Sequence, residues 1–222
     1  MVRVAQCWDD GVVNDRRLAE IFRKYGAKAT FNLNPVRHHM TKRVGNGRLY
    51  QDRFLVEKLA WNEVLEVYDG FEVASHTMSH CNAGEVSDRA FLEDAVAARR
   101  VLEDHFQREC PGFAWPCGRY TPETVKMLAD AGFAYGRTVE NAEPVLPVQN
   151  PMILRSSVHH MKPEFWERFE RAKAANGVFY FWGHSYELMD DETLWADIEE
   201  KIRRLSADPE VKWVNVIDLV RP

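Results

Sequence analysis

Residues 177–184 read Gly-Val-Phe-Tyr-Phe-Trp-Gly-His, with five apolar side chains in a row between two glycines. A short apolar run without alternating polar positions is typical of a strand buried on both faces, as the strands of a parallel sheet are. Parallel neighbours need crossover connections, which are usually helices. This stretch therefore predicts an α/β fold, and His184 follows the end of its strand.

The rest of the chain alternates strands with helices. Six further strands are predicted, at 2–8, 29–33, 71–74, 113–115, 134–139 and 211–216. Helices between them are predicted from apolar periodicity and from the capping residues Asn14, Ser87, Thr121 and Asp190 or Asp191. We interpret 34–55 as a long loop. About seven strand–helix units, with no linker or repeat, predict one domain over 1–222 that forms a TIM-like (β/α) barrel.

Composition narrows the class of protein. The chain has 222 residues, 45% of them hydrophobic, and a formal net charge of -5, so a folded core is expected and a nucleic-acid partner is not. No apolar run approaches the roughly 20 residues that span a bilayer, so no membrane partner is expected. Four cysteines without C-x-x-C spacing and no leader-like start predict a cytoplasmic protein, unless a leader was removed. The oligomeric state is left open.

Five side chains that carry chemistry follow predicted strands. Asp9 and Asp10 follow the first strand, His76 and His80 the third, and His184 the apolar strand. In parallel barrels the chemistry takes place at the carboxyl ends of the strands. One carboxylate and two imidazoles can hold a divalent metal and leave a position open. The second carboxylate and the last histidine are then free for proton transfer.

The arrangement of these residues has less specific interpretations too. Gly11 permits a sharp exit that lets Asp9 and Asp10 approach one centre, but an isolated Asp-Asp-Gly is more often a solvated turn. His76 and His80 share one face if Ser75 begins a helical turn, yet such a pair alone is a weak metal signal. His184 has the alternative of a buried structural histidine.

Neighbouring residues are candidates for supporting roles. Trp8 and Trp115 lie beside the site in sequence and are candidates for stacking on a sugar, although tryptophan is more often a core residue. Tyr186, two residues after His184, is a third candidate for substrate binding. The pairs at 38–39 and 159–160 are interpreted as loop histidines, because adjacent histidines do not easily face one ion.

The ordered motifs resemble those of polysaccharide deacetylase domains, the NodB-homology group of carbohydrate esterase family 4. The matching segments are Cys7-Trp8-Asp9-Asp10, the His76 to His80 motif His-Thr-Met-Ser-His, and Trp182-Gly183-His184, with a partial match at 114–117. The resemblance covers essentially the whole chain, from about residue 4 to 217. It implies a distorted seven-stranded (β/α) barrel and a metal-dependent N-deacetylase.

Residue roles follow from the resemblance position by position. It implies Asp9 as the catalytic base, His184 as the catalytic acid and the Cys117 N–H as a donor to the oxyanion. It implies Asp10, His76 and His80 as ligands of a divalent metal, for which we expect zinc, with cobalt, nickel or manganese as alternatives. The family arginine that steadies the base is missing at Ala114. We predict that Arg137, at the end of its own strand, takes that place.

Three functions remain open at this point. The first is deacetylation of an N-acetylated sugar. The second is hydrolysis of a non-sugar amide, formamide or cyclic imide by the same fold, which the missing arginine and the missing leader favour somewhat. The third is a catalytically silent, glycan-binding barrel, which would be expected to lack one of the five residues. The chain has no D-x-x-D-W segment, so the sequence identifies no partner that orients His184.

Overall fold

The computed structural model describes residues 1–142 and 147–221. The strands of this part are β1 (Val2–Asp9), β2 (Thr30–Leu33), β3 (Val44–Tyr50), β4 (Phe54–Lys58), β5 (Glu72–Ser75), β6 (Gly112–Ala114), β7 (Tyr135–Asn141), β8 (Leu154–Ser156), β9 (Val158–His159), β10 (Val178–Gly183) and β11 (Val211–Trp213). The helices are α1 (Asp15–Tyr25), α2 (Trp61–Val67), α3 (Asp88–Phe106), α4 (Pro122–Asp130), α5 (Phe165–Ala174) and α6 (Glu192–Ala207). Within these residues no helix has the length and apolar character to cross a membrane.

Nine strands of the described chain form one parallel sheet in the order β8-β7-β6-β5-β2-β1-β10-β9, with β11 also pairing to β1. The two ends of this order, β8 and β9, are separated in the chain by Ser157 alone. The Ser157 N–H donates to the Tyr180 carbonyl at 2.6 Å. The chain itself therefore bridges the seam, and the sheet forms a nearly closed barrel with helices around it, which confirms the predicted fold class.

The apolar run at 178–182 forms β10, next to β1 and β9. Alternate side chains of a strand point to opposite faces. Phe179 and Phe181 pack outward on Phe165 of α5, with ring centroids 5.0 and 5.2 Å away, while Tyr180 packs with Ala5 and Tyr135 in a separate cluster. Burial of both faces explains why this strand shows no polar alternation.

The predicted long loop at 34–55 is wrong in part. Strands β3 and β4 form an antiparallel hairpin there, and its register shifts between Gly45 and Leu49. The hairpin is tied to the residues that follow β1: Lys58 pairs with Val12, and the Leu59 N–H donates to the Gly11 carbonyl at 3.1 Å. Glycines, exposed polar residues and an irregular register hide the alternation that identifies a strand.

Helix ends follow the predicted capping chemistry at three of the four sites. Ser87, Thr121 and Asp191 each accept a hydrogen bond from a backbone N–H of the first helical turn. Asn14 is the exception, because its side chain makes no capping bond and its backbone is already helical. The predicted last strand is also shorter, ending at Trp213 rather than at 216.

Candidate metal and catalytic site

The side chains singled out above meet at the carboxyl ends of neighbouring strands. Asp9 is the last residue of β1, His76 follows β5, and His184 follows β10. Arg137 enters from within β7, as the third of its seven residues, with its side chain 1% exposed, so the expectation that it ends its strand is wrong. Parallel pairing places all these strand ends at one rim of the barrel, which is where such folds carry their chemistry.

Asp10, His76 and His80 form one cluster, in which one ligand atom from each lies within 4.8 Å of the others. His80 Nε2 is 3.9 Å from Asp10 Oδ1, and the two imidazole centroids are 4.8 Å apart at 87°. Ser75 ends β5 and does not begin a helical turn, so the rings are not brought together by helical spacing. Thr77 and His80 both have φ of 61°, so a loop with left-handed residues folds the second ring back onto the first.

That loop is held by side chains from outside it. Asp94 of α3 accepts hydrogen bonds from the Met78 N–H at 2.6 Å and from the Ser79 hydroxyl at 2.9 Å. Arg37 donates two hydrogen bonds to the Ser79 carbonyl. Because the loop is held on both sides, His80 has a defined position, as a ligand that shares a metal with His76 and Asp10 must have.

The turn after β1 brings Asp10 to the cluster. Asp10 has φ of 86° and Gly11 has φ of 65°. At Gly11 a Cβ atom would also lie 2.7 Å from the His38 ring. Glycine is therefore needed there for conformation and for space, and the turn lets Asp9 and Asp10 reach two neighbouring positions instead of opposite faces of the strand.

The protonation states suit a metal-binding set. His76 Nδ1 lies 2.8 Å from the Ala114 carbonyl oxygen, an acceptor only, so Nδ1 carries the proton and Nε2 has a free lone pair. Burial lowers the pKa of His76 to about 4, so the ring is neutral near pH 7. Burial opposes ionisation of Asp10, but the Lys58 ammonium and the nearby imidazoles hold the pKa of this carboxyl well below its usual value.

Two imidazoles and a carboxylate fit a divalent metal of the zinc type. Zinc–ligand bonds of about 2.1 Å in a tetrahedron separate the donor atoms by about 3.4 Å, close to the 3.9 Å between His80 and Asp10. Lys58 was not singled out from the sequence. Its Nζ lies 3.5 Å from Asp10 Oδ1 and donates to the Asp10 carbonyl, so the amino group is held beside the proposed ligand. Burial lowers the pKa of Lys58, and the Asp10 and Asp15 charges oppose that shift.

Asp9 has hydrogen-bonding and ion-pair partners different from those of Asp10. Asn32 donates to Asp9 Oδ1 at 2.7 Å, and Arg137 Nη2 donates to both carboxylate oxygens. His184 Nε2 is 3.8 Å from Asp9 Oδ2. Burial opposes ionisation of Asp9, but the Arg137 guanidinium, the nearby His76 and His184 rings and the Arg137 hydrogen bond together outweigh burial and lower the pKa of Asp9 to about 2. The structure therefore places Arg137 beside the carboxylate that the sequence assigns to it, and Asp9 is ionised at neutral pH.

Glu187 is the residue that sequence reasoning missed. Its carboxylate accepts from the His184 N–H at 3.0 Å, lies 3.3 Å from His184 Nδ1, and lies 3.0 and 3.1 Å from Nε2 of His160 and His159. Burial lowers the pKa of His184, but the Glu187 hydrogen bond and the Asp9 charge outweigh it, so the pKa is raised. An acidic residue three positions after His184 was the available signal, since it can cap the turn that starts there.

The same region explains Gly183. A Cβ atom at this position would lie 2.1 Å from His160 Cδ2. The histidine pair at 159–160 therefore packs directly against the strand that carries His184. It supports the Glu187 carboxylate and does not belong to a free loop, contrary to the sequence interpretation.

The predicted sugar-stacking residues are not at the surface. Trp8 and Trp115 have no exposed surface; Trp8 packs on Phe22, and Trp115 donates its indole N–H to the Met152 carbonyl at 2.8 Å. Both rings fill the core, so the prediction that they stack on a substrate is wrong for this structure.

Tyr186 and Cys117 lie near the rim. The Tyr186 ring is 1% exposed, and its centroid lies 4.8 Å from that of His184, so it packs behind the histidine. Cys117 lies in the turn after β6 with φ of 53° and an exposed thiol. The assignment of Tyr186 to the substrate and of the Cys117 N–H to the oxyanion stay predictions.

Comparisons with known proteins agree with these motifs. The sequence profile of the family described as polysaccharide deacetylase matches residues 2–136. A Bacillus subtilis (strain 168) protein, YxkH, assigned by name to the polysaccharide deacetylases, is 22% identical over 134 residues. That alignment covers 60% of this chain and 43% of the relative, so the chain spans less than half the length of this relative.

Two solved structures share the fold across almost the whole chain. A Mycobacterium smegmatis protein, also assigned by name to the polysaccharide deacetylases, superposes with a TM-score of 0.69 at 14% identity, covering 99% of this chain and 90% of its own. The Bc1960 peptidoglycan N-acetylglucosamine deacetylase superposes with a TM-score of 0.63 at 14% identity, covering 99% and 88%. At these identities the likeness concerns the fold.

Proposed function

The chain belongs to the polysaccharide deacetylase family, and from that premise we propose that it is a metal-dependent hydrolase that removes the acetyl group from an N-acetylated sugar. One observation carries the proposal: the two adjacent aspartates have separate environments. Asp10 faces His76 and His80, whereas Asp9 faces Arg137 and His184. These different partners support Asp10 as the metal ligand and Asp9 as the base.

Asp10, His76 and His80 would hold the metal, and zinc suits their nitrogen and oxygen donors. A divalent cation bound there supplies Lewis-acid polarisation of the acyl oxygen and makes water more acidic. The protein groups have their own tasks. The Ala114 carbonyl fixes the tautomer of His76, and Asn32 and Arg137 fix the orientation of Asp9.

In the proposed reaction Asp9 and His184 each transfer one proton. Asp9 accepts a proton from the water that attacks the acetyl carbon, and the Cys117 N–H donates to the oxyanion. His184, whose pKa Glu187 and Asp9 raise, gives its proton to the departing nitrogen as the C–N bond breaks. The products are acetate and a free amine, and transfer of the Asp9 proton to His184 restores both groups.

The test is acetate release from N-acetylated glucosamine oligomers by protein loaded with zinc, cobalt, nickel or manganese, compared with chelated protein. We expect release with at least one metal and none after chelation. Small amides, formamides and cyclic imides form the second arm. Turnover of these compounds but not of the sugars would assign the site to a non-sugar amide. Stoichiometric glycan binding without turnover with any of the metals would identify a catalytically silent, glycan-binding barrel.

A further inference from the structure

A cleft of about 160 Å³ opens beside the proposed metal ligands Asp10 and His80. Its other walls are Asn34, Arg37, Asn46, Arg48 and Lys58. The β3–β4 hairpin supplies Asn46, Arg48 and Lys58, and the segment after β2 supplies Asn34 and Arg37. The cleft therefore contacts the reaction centre on one side and an almost wholly cationic and amide surface on the other.

The two arginines of this cleft have no acidic partner. In the described part of the chain neither Arg37 nor Arg48 forms an ion pair with a carboxylate, whereas Arg43 of the same hairpin pairs with Glu63 at 2.6 Å. Arg37 is held by the Ser79 carbonyl. Arg48 donates one hydrogen bond to the Tyr186 hydroxyl at 2.9 Å, with its guanidinium carbon 5.0 Å from the ring centroid. Each guanidinium is thus positioned by uncharged groups and keeps unused N–H donors.

The charge balance of the cleft is positive. Lys58 and Asp10 offset each other, and the guanidinium charges of Arg37 and Arg48 remain. A divalent cation on Asp10 and the two histidines would add to that excess. Planar guanidinium groups with free donors are suited to two-point recognition of carboxylate and phosphate, and the neighbouring Asn34 and Asn46 amides suit the polar surface of a sugar.

We propose that the substrate is an anionic N-acetylated amino sugar, with a carboxylate or phosphate substituent that Arg37 and Arg48 bind while the acetamido group lies at the metal ligands. This inference rests on the proposed deacetylase function and narrows its substrate class. With a neutral sugar bound, the two guanidinium groups would face only water. We therefore expect a higher kcat/KM for the anionic sugar than for the neutral one.

The experiment compares kcat/KM for deacetylation of N-acetylglucosamine, its 6-carboxylate, its 3-O-lactyl ether and its 6-phosphate. We expect at least one anionic probe to be preferred over the neutral sugar by about 10-fold or more, since a hydrogen bond to a charged group is worth roughly one to two orders of magnitude. The carboxylate and phosphate arms identify which anion is bound. The preference should shrink as salt is raised, because the guanidinium groups are exposed.

Substitutions of the two arginines test whether they bind the anionic group of the substrate or only support the structure of the site. Arg48→Met should reduce the preference about 10-fold, mainly through KM, and Arg48→Lys should restore part of it. Arg37→Met should reduce the preference as well; because Arg37 also holds the His80 loop through the Ser79 carbonyl, only the ratio of anionic to neutral turnover, and not the overall rate, reports on recognition in this variant. Arg53→Met is the matched control: Arg53 lies in the turn of the same hairpin, outside the cleft, over Phe54. It should leave the preference unchanged.

The outcomes distinguish the two proposals. If Arg48→Met slows all probes alike, the arginine only supports Tyr186 and His184, and the substrate proposal is overturned. Equal turnover of neutral and anionic probes by the wild type overturns it as well, while deacetylation stands. If no probe is turned over, the deacetylase proposal fails, and calorimetry of the same probes with Asp9→Asn protein decides whether the cleft still selects anions.

Discussion

Replacing Glu187 with Gln tests the network behind His184. Four N–H groups converge on this carboxylate, from the His184 backbone and from the rings of His184, His160 and His159. Burial opposes the charge of Glu187, but the three histidines outweigh it and hold its pKa far below the usual value. Glutamine has nearly the same shape, so the change removes the charge and turns one acceptor into a donor that faces histidine N–H groups.

The expected cost follows from those contacts. Hydrogen bonds to a charged group are worth about 1.5–3 kcal/mol and neutral ones about 0.5–1.5 kcal/mol. Three of the four bonds would fall to the neutral level and the fourth would face an N–H group, while removal of the charge relieves its burial cost; we expect the free energy of unfolding at pH 7 to fall by about 2–4 kcal/mol. Because the folded pKa of Glu187 is depressed, its contribution is present above the unfolded pKa of about 4.3 and is lost as pH falls below it. The gap between wild type and E187Q should therefore narrow at acid pH.

The assays are urea unfolding at pH 7 and pH 4, and the pH dependence of kcat/KM. Loss of Glu187 should lower the pKa of His184, because its hydrogen bond is the leading contribution that raises that pKa. The protonated acid is then lost at lower pH, so the basic limb of the rate profile should move to lower pH. If Glu187 only stabilised the fold, its substitution would leave the basic limb of the pH–rate profile in place.

Glu140→Gln is the matched control for this prediction. Glu140 pairs with Arg155 at 2.7 Å, and both side chains are about half exposed, so its loss should cost under about 1 kcal/mol and leave the rate profile in place. A stability loss for E187Q at pH 7 below about 1 kcal/mol would refute the energetic reasoning. An unmoved basic limb would remove Glu187 from the positioning of His184.

Further predictions concern the aspartates and Lys58. Asp9→Asn should retain the metal and lose at least about 10²-fold in rate, whereas Asp10→Ala should lose metal and activity together; metal analysis with kinetics checks both, and the reverse pattern would exchange their roles. The Lys58→Met variant should bind zinc more tightly than the wild type in calorimetry, because a positive charge 3.5 Å from Asp10 is removed. Unchanged zinc affinity would show that Lys58 does not compete with the metal for Asp10. Burial raises the pKa of Asp15 to about 7, so the folded state binds a proton that the unfolded state releases above about pH 4, and stability should fall from pH 4 to pH 7. Asp15→Asn should flatten that fall in urea titrations, and an unaltered slope would show that Asp15 is ionised.

The barrel and the positions of the five chemical residues follow from local pattern. Apolar runs such as 178–182 and the confirmed caps at Ser87 and Thr121 are properties of a few neighbouring residues, so they can be read along the chain. Parallel pairing then places every strand end at one rim. Arg137 was predicted as the replacement for the missing family arginine, and it contacts Asp9 although 128 positions separate them, but from within β7 and not from its end.

Which side chains contact each other, and which are buried, could be known only from the closed barrel. The position of Glu187, three residues after His184, indicates at most a local cap, and only the pairing of β9 with β10 brings His159 and His160 to the same carboxylate. Trp8 and Trp115 were predicted to stack on a sugar because they adjoin site residues, but alternate side chains of a strand face opposite layers, and theirs face the core.

The sequence by itself determined the α/β architecture, the direction of the strands and which residues follow them, because hydrophobic periodicity reports burial one strand at a time. Only the tertiary structure decided that Asp9 and Asp10 have different partners, that Glu187 holds His184, and that a hairpin with Arg48 and Lys58 walls the cleft. The physical reason is that these contacts join segments far apart in the chain. Their distances are set by barrel closure and side-chain packing, which no local pattern encodes.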